Sequence, residues 1–404
     1  MTRLFTAGNE LVDPVAEGWY WDEGGTGSGS PSSVIAQRNG YQTTEKNGGN
    51  WYYYLLQDYD LKHFPGYFGR PPSFPVPDAY SELYVRFHFY AGNFVSGERA
   101  ILSFVGGDNS TYFTVAIYDS GGSTVSGNNY GIYFREDTVG TAHITVGAFA
   151  ANNVWTLIEA RCRLGAGGTG LLELKANGVI IGSVAGTFTG PSAQTGMAGI
   201  HMRNQQNGGT PTGNRYDNFA INDTSGTVNN SWPGDGYVLL RTPHRDGTTT
   251  QLATDIGAGS ADNADRIGVS DARTPALNFD GQSYWKVSEG YHQGSLRTTK
   301  HQGFVRPTAV PQKDTYTIKP LPFDAGAINA ISLFSETVGR VSLSGNIRHL
   351  IKPPAQSEIQ SAALPIPTDV LGPQASHYSI NPNTSAAFTV TEVNSLEIGL
   401  QFEA

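Results

Sequence analysis

The chain has 404 residues, of which 50 are Gly and 22 are Pro, while charged residues are only 15% and the formal net charge is −9. That balance excludes helical bundles and coiled coils, which need long runs of Ala, Glu, Lys and Leu, and the net acidity and scattered basic residues argue against a nucleic-acid groove, which needs clustered Lys and Arg to hold phosphates. Hydrophobic residues at 38% and aromatics at 11% are enough to build large cores, so the composition predicts an all-β protein of short strands joined by glycine turns.

In chain order, Met1–Glu10 has no apolar run followed by a small-residue cleavage site, and nowhere are there about 18 consecutive apolar residues. The expectation is a soluble protein made in a cytoplasm and not exported through a signal peptide. Aromatic islands follow at Trp19-Tyr20-Trp21 and Trp51-Tyr-Tyr-Tyr-Leu55, the second opening a buried strand. The segment 61–77 carries five prolines among aromatics and has little strand or helix potential, so it runs extended, either over its own sandwich or as an arm to a neighbouring copy.

From 81 onwards strand signals recur at sandwich spacing. Alternation in 81–90 puts Leu83, Val85, Phe87 and Phe89 on one side and Glu82, Tyr84, Arg86, His88 and Tyr90 on the other. Further strands are predicted at 100–105, 112–118, 131–134, 142–146, 155–162, 171–176 and 179–184. Asn177-Gly178 joins the last two as a hairpin, because both central residues of a type I′ turn need positive φ. Cys162, the only cysteine, falls in the 155–164 strand and is read as a small buried apolar residue.

The polar, glycine-punctuated run Thr224–Gly236 is the best boundary in the chain. Beyond it, Pro243–Gly247 reads as a turn and 251–315 mostly as loop. Strands resume at 314–319, 327–335, 339–344 and 346–351, and Val393–Phe402 closes a second sandwich. The prediction is therefore two β-sandwich domains of jelly-roll type in tandem, 1–225 and 226–404. The proline-rich stretch 351–373 admits the same two readings as 61–77.

The late Asn177-Gly178 hairpin and the closing strand Tyr216-Asp-Asn-Phe-Ala-Ile-Asn-Asp223 resemble the concanavalin A-like, laminin-G-like jelly roll. The junction 216–238, together with Val390–Leu400, resembles tailed-bacteriophage virion proteins in which such a jelly roll is fused to a second β-domain. The resemblance runs through most of the chain in order, more weakly over about 245–310. It implies a virion protein of tail, fibre or head, assembled in the host cytoplasm with copies of itself and other virion proteins. It also implies a candidate calcium pair, Glu10 near the N-terminus and Asp217 on the last strand of the jelly roll, with backbone carbonyls completing an oxygen shell. The bland alternative leaves Glu10 on an amide or Arg215 and Asp217 in a turn.

Candidate chemistry is sparse. Retaining glycoside hydrolysis needs two carboxylates about 5 Å apart, and the strand acids Glu82, Glu159, Glu173 and Glu136-Asp137 are isolated, with Glu159 and Glu173 expected on a solvent face. Gly25–Gly29 lacks the spacing of a nucleophile elbow. Gly165-Ala-Gly-Gly-Thr-Gly170 matches a dinucleotide fingerprint but precedes a hairpin, so it reads as a strand-connecting turn. The nine His are too dispersed for zinc. Asp262-Asn-Ala-Asp265 reads as a turn. Glycan stacking would fall to Trp19, Trp21, Tyr84, His88 and Tyr90, against the alternative of packing or subunit contact. No catalytic residue is assigned. The expectation is a non-enzymatic structural component of a phage particle, the alternatives being a lectin-like receptor-binding protein and a polysaccharide-degrading enzyme.

Overall fold

A computed structural model describes residues 3–7, 19–21, 34–38, 51–55, 60–65, 75–91, 97–119, 129–137, 140–151, 153–207, 214–225, 227–236, 238, 243–256, 304–306, 309–318, 320–321, 327–337, 345–366 and 372–403. It divides into two units, Met1–Leu239 and Leu240–Ala404. No helix among the described residues is long and apolar enough to cross a membrane.

The first unit is built from β1 (Arg3–Ala7), β2 (Tyr20–Trp21), β3 (Val34–Arg38), β4 (Trp51–Leu55), β5 (Asp60–His63), β6 (Glu82–Ala91), β7 (Glu98–Val105), β8 (Thr111–Asp119), β9 (Asn129–Glu136), β10 (Ala142–Ala151), β11 (Trp155–Arg163), β12 (Gly165–Ala176), β13 (Val179–Phe188), β14 (Gly199–Asn207) and β15 (Asn214–Asp223). An eight-stranded sheet runs β13-β12-β11-β6-β15-β4-β3, with β1 also on β15, and a seven-stranded sheet runs β10-β9-β8-β7-β14-β5-β2. Every pairing is antiparallel.

Alternation decides which side of each strand is covered. Leu83, Val85, Phe87 and Phe89 of β6 meet Leu102 and Phe104 of β7, Phe113 and Val115 of β8 and Ile200 of β14 in one core between the sheets. Cys162 is part of that core, where burial pushes its thiol well above its ordinary pKa. Asn177 (φ +48°) and Gly178 (φ +82°) make the tight turn between β12 and β13. The Gly165–Gly170 run opens β12, with Gly167 and Gly168 at positive φ, and leads into a strand and not a helix, as a turn reading requires.

The second unit contains β16 (Pro243–Thr250), β17 (Ala253–Ile256), β18 (Phe304–Arg306), β19 (Gln312–Ile318), β20 (Ile331–Thr337), β21 (Asn346–Lys352), β22 (Ile359–Gln360), β23 (Leu364–Pro365), β24 (Gly372–Tyr378), a one-turn helix α1 (Val390–Asn394) and β25 (Glu397–Glu403). A six-stranded sheet runs β16-β19-β25-β21-β22, with β23 also on β21, and β17–β18 and β20–β24 form two-stranded ribbons. Leu333 of the β20–β24 ribbon meets Ile351 of β21 in a core completed by Ile359, Phe388, Val393 and Leu396. The chain is thus all-β, as composition predicts.

Three local expectations change. Pro243–Gly247 is part of β16, whose register slips against β19 at Pro243/Arg245 and again at Asp246/Thr250. The predicted final strand begins later, because a capping box starts α1 ahead of it: Thr389 accepts from the Glu392 amide, and Glu392 accepts from the Thr389 amide. Most consequentially, the domain boundary falls not at 225/226 but after Leu239, because the glycine-punctuated run is packed onto the jelly roll. The strand predicted at 339–344 and the turn at 262–265 lie outside the described residues.

Candidate functional site

Each sheet of the first unit has an outer face turned away from the core, and the two differ. On the eight-stranded sheet the outer residues of β6 are Glu82, Tyr84, Arg86, His88 and Tyr90, and all are buried. The segment 231–236, together with Val238, crosses them as a strap. Ser231 accepts from the Asn222 side-chain amide at 2.7 Å, and Trp232 stands edge-on to Tyr84 at 5.4 Å with the Lys175 ammonium over its ring at 4.1 Å. Gly234 donates to Glu159 at 2.8 Å and accepts from Arg86 at 2.9 Å, while Asp235 stands 3.2 Å from His88. Val238 donates to the side chain of Asn218, which sits at φ +52° where β15 bulges against β6. Burial lowers the Arg86 pKa to about 10 against the opposing effect of Glu159, Asp235 and Asp217, so the guanidinium stays charged at neutral pH.

This places the residues singled out in the sequence. Trp19 is 0% exposed, edge-on to Phe219 and His63 in the core. Trp21 is in β2, its side chain outside the described set. Tyr84, His88 and Tyr90 do share one face, as alternation requires, but Tyr84 and His88 are under the strap and Tyr90 is packed between Trp155 and Arg215. They are not a solvent-facing platform. Glu159 and Glu173, expected toward solvent, are buried: Glu159 holds the strap, and Glu173 and Glu82 share Arg161. Of the calcium pair, Glu10 lies outside the described residues, and Asp217 is buried and accepts from the Asn218 amide. No cluster of three His, Cys, Asp or Glu side chains suited to a metal occurs among the described residues.

The outer face of the seven-stranded sheet is where chemistry gathers. Direct cross-strand pairing aligns Lys62 (β5), His201 (β14), Ser103 (β7), Thr114 (β8) and Arg135 (β9) in one row. Four inter-strand steps of about 4.8 Å make it ~19 Å long. Arg203 is two residues from His201 on the same face. Lys62 is 2% exposed and His201 1%. The half-buried Asn109, at φ +70° in the β7–β8 turn, takes its side-chain oxygen to 3.1 Å from both the Lys62 ammonium and His201 Nε2. Ser103 and Thr114 share a hydrogen bond of 2.8 Å, Arg135 is paired with Glu98, and Phe64 stands edge-on to the imidazole. Farther along this face Tyr118 and Tyr133, both half-buried, are stacked at 4.1 Å.

The electrostatics make His201 distinctive. Burial first, then the charges of Lys62 and Arg203, hold its pKa well below 6.5, so the imidazole is neutral at physiological pH. The acceptor on Asn109 assigns the ring hydrogen to Nε2. Nδ1 then carries a lone pair, buried and with no hydrogen-bond partner among the described residues. A neutral base between two cations can take a proton next to a carboxylate that the cations hold.

Sequence reading missed this row, although its signal is present: Leu102-Ser103-Phe104, Phe113-Thr114-Val115 and Ile200-His201-Met202 each set one polar residue between two core residues. Only the order β5-β14-β7-β8-β9 shows that these positions are neighbours.

No family model matches the chain, and no curated protein sequence matches it. Among solved structures, the chain is similar to a marine alginate lyase from Aplysia kurodai (TM-score 0.35, 10% identity, 55% of this chain and 99% of that one). It is also similar to an endo-β-1,4-glucuronan lyase of the fungus Trichoderma reesei (0.34, 14%, 55% and 95%) and to a carbohydrate esterase of bacteriophage phi24B (0.35, 14%, 55% and 98%). The similarity is one of fold, a jelly-roll sandwich of a kind found in carbohydrate-active proteins. Against the expectation of a non-enzymatic structural component, these three similar structures are two polysaccharide lyases and a carbohydrate esterase.

Proposed function

We propose that the first unit processes an acidic polysaccharide on the outer face of its seven-stranded sheet, by elimination and not by hydrolysis. The observation that carries this reading is the neutral His201, its Nδ1 unpartnered, between Lys62 and Arg203. In the proposed step the two cations hold the carboxylate of a sugar acid, and His201 Nδ1 takes the proton on the adjacent carbon. The electron pair left behind forms a C=C bond, the glycosidic C–O bond breaks, and the departing oxygen is protonated from solvent. Tyr118 and Tyr133 offer ring surface to a neighbouring sugar. Hydrolysis is disfavoured because Glu82 and Glu173 are both tied to Arg161, and Glu159 to the strap. The substrates that name two of the similar structures, alginate and glucuronan, are in keeping with this choice and do not carry it. Taken with the virion resemblance, the setting we propose is the surface of a phage particle.

The test is incubation of the protein with acidic and neutral polysaccharides, following the ultraviolet absorbance of the new double bond alongside total reducing ends. Absorbance should rise with acidic substrates only and fall about 10²–10⁴-fold in His201→Ala. Because the imidazole pKa is depressed, activity should persist on the acid side of pH 6.5. Reducing ends without absorbance, or an unimpaired His201→Ala, would sink the proposal.

A further inference from the structure

Positive φ costs a residue other than glycine about 1–2 kcal/mol, and Asn bears it best because its short side chain can bond locally. Asn177 and Asn218, at φ +48° and +52°, spend their side chains on the backbone: their oxygens accept from the Leu157 and Val238 amides at 3.0 and 2.8 Å. Asn109, at φ +70°, does not. Its turn is closed by backbone alone, Gly106 donating to Ser110 at 2.9 Å and Asn109 to Gly106 at 3.0 Å. The turn is also fixed from outside. Val76 donates to the Gly107 carbonyl at 2.7 Å, Gly107 donates to the Asp78 carboxylate, and a Cβ on Gly107 would run into the Val76 carbonyl. The Asn109 side chain is therefore not needed to build the turn, and its oxygen goes to Lys62 and His201, 3.1 Å from each.

Lys62 decides which way round this amide stands. An ammonium can only donate, so the atom facing Lys62 Nζ is the oxygen Oδ1 and not the nitrogen Nδ2. The same oxygen faces His201 Nε2, which must then carry the ring hydrogen and leave Nδ1 as the acceptor. We propose that Asn109 is a positioning residue for the proposed elimination: its oxygen, oriented by Lys62, holds His201 in the tautomer whose Nδ1 can take a proton. Only the catalytic consequence rests on the polysaccharide reading; the tautomer is a property of the chain alone. A neutral amide is the group the position requires. The charges facing the ring are Lys62 from β5 and Arg203 from β14, while Ser103, opposite it on β7, and Phe64, edge-on to it, are uncharged. A carboxylate at 109 would favour the imidazolium, which has no lone pair to offer. Glycine would suit the backbone better than Asn, so the left-handed conformation is borne for the sake of the side chain.

Nitrogen NMR of the full chain labelled at histidine, with the His201 signals assigned by their absence in His201→Gln, tests this. In the unmodified chain at neutral pH the ring should be neutral with its hydrogen on Nε2. Asn109→Gly, which relieves the backbone, should mix the two tautomers, leave the melting temperature within about 2 °C and slow elimination about 10–100-fold. Asn109→Asp should keep the hydrogen on Nε2 and make Nδ1 bind a proton at higher pH than in the unmodified chain, moving the acid limb of activity the same way. His201 signals unchanged in Asn109→Gly overturn the proposal, as does a ring hydrogen found on Nδ1 in the unmodified chain. Mixed tautomers in Asn109→Gly, with no double-bond absorbance from the unmodified chain, would uphold the hold of Asn109 on the ring and overturn the polysaccharide reading alone.

Discussion

Arg86 and His349 show how one buried side chain can control a region. Arg86 donates to Asn218 at 3.2 Å and to Gly234 at 2.9 Å, and it is the cation facing Glu159. Removing it strands a buried carboxylate, so Arg86→Met should lower the unfolding free energy of the first unit by about 3–5 kcal/mol in urea titration. It should also speed proteolysis within 226–236. Unchanged cleavage there would mean that the strap is held by other contacts. His349 has both ring nitrogens 2.8 Å from serine hydroxyls, Ser335 and Ser376, and burial, then His377, lowers its pKa from 6.5 to about 3. Between those values the unfolded chain binds a proton that the native imidazole refuses. Stability from this group is therefore full above pH 6.5 and lost as pH falls toward 3, at up to about 1.4 kcal/mol per pH unit. His349→Asn should flatten the acid side of the stability–pH curve of the second unit; an equally steep curve would assign the slope to other groups.

At the scale of elements, β6 shows what alternation can and cannot say. It correctly divides Leu83, Val85, Phe87 and Phe89 from Tyr84, Arg86, His88 and Tyr90. The assumption that the second set meets solvent fails, because a segment 140 or so residues later lies over it. The glycines there read, from the sequence, as marking a domain boundary. Gly234 in fact takes φ +68°, and Gly236 approaches Arg86 so closely that a Cβ would stand 2.9 Å from the guanidinium. The row Lys62, His201, Ser103, Thr114 and Arg135 was invisible for the complementary reason: each member is an unremarkable polar residue in its own strand, and only strand order joins them.

For the whole molecule, the position of the boundary has a direct consequence. A fragment ending at Leu239 keeps Trp232, Gly234 and Asp235 over the eight-stranded sheet, whereas one ending at Ser225 uncovers Tyr84, Arg86, His88 and Glu159. Residues 1–239 should be expressed as a folded species with a cooperative thermal transition. Residues 1–225 should melt lower by several degrees, since a change of 1 kcal/mol moves a domain of this size by about 2–4 °C. Equal melting of the two would place the boundary back at 225.

By itself the sequence determined the fold class and most strands of the jelly roll, because hydrophobic period and turn chemistry act over a few residues. Asn177-Gly178 had to turn, and Phe87 and Phe89 had to face a core. Only the tertiary structure decided which outer face is covered and which polar residues meet. Burial beside Lys62 and Arg203 gives His201 its neutral imidazole, and those three residues come from strands about 140 positions apart in the chain, a distance no local pattern spans.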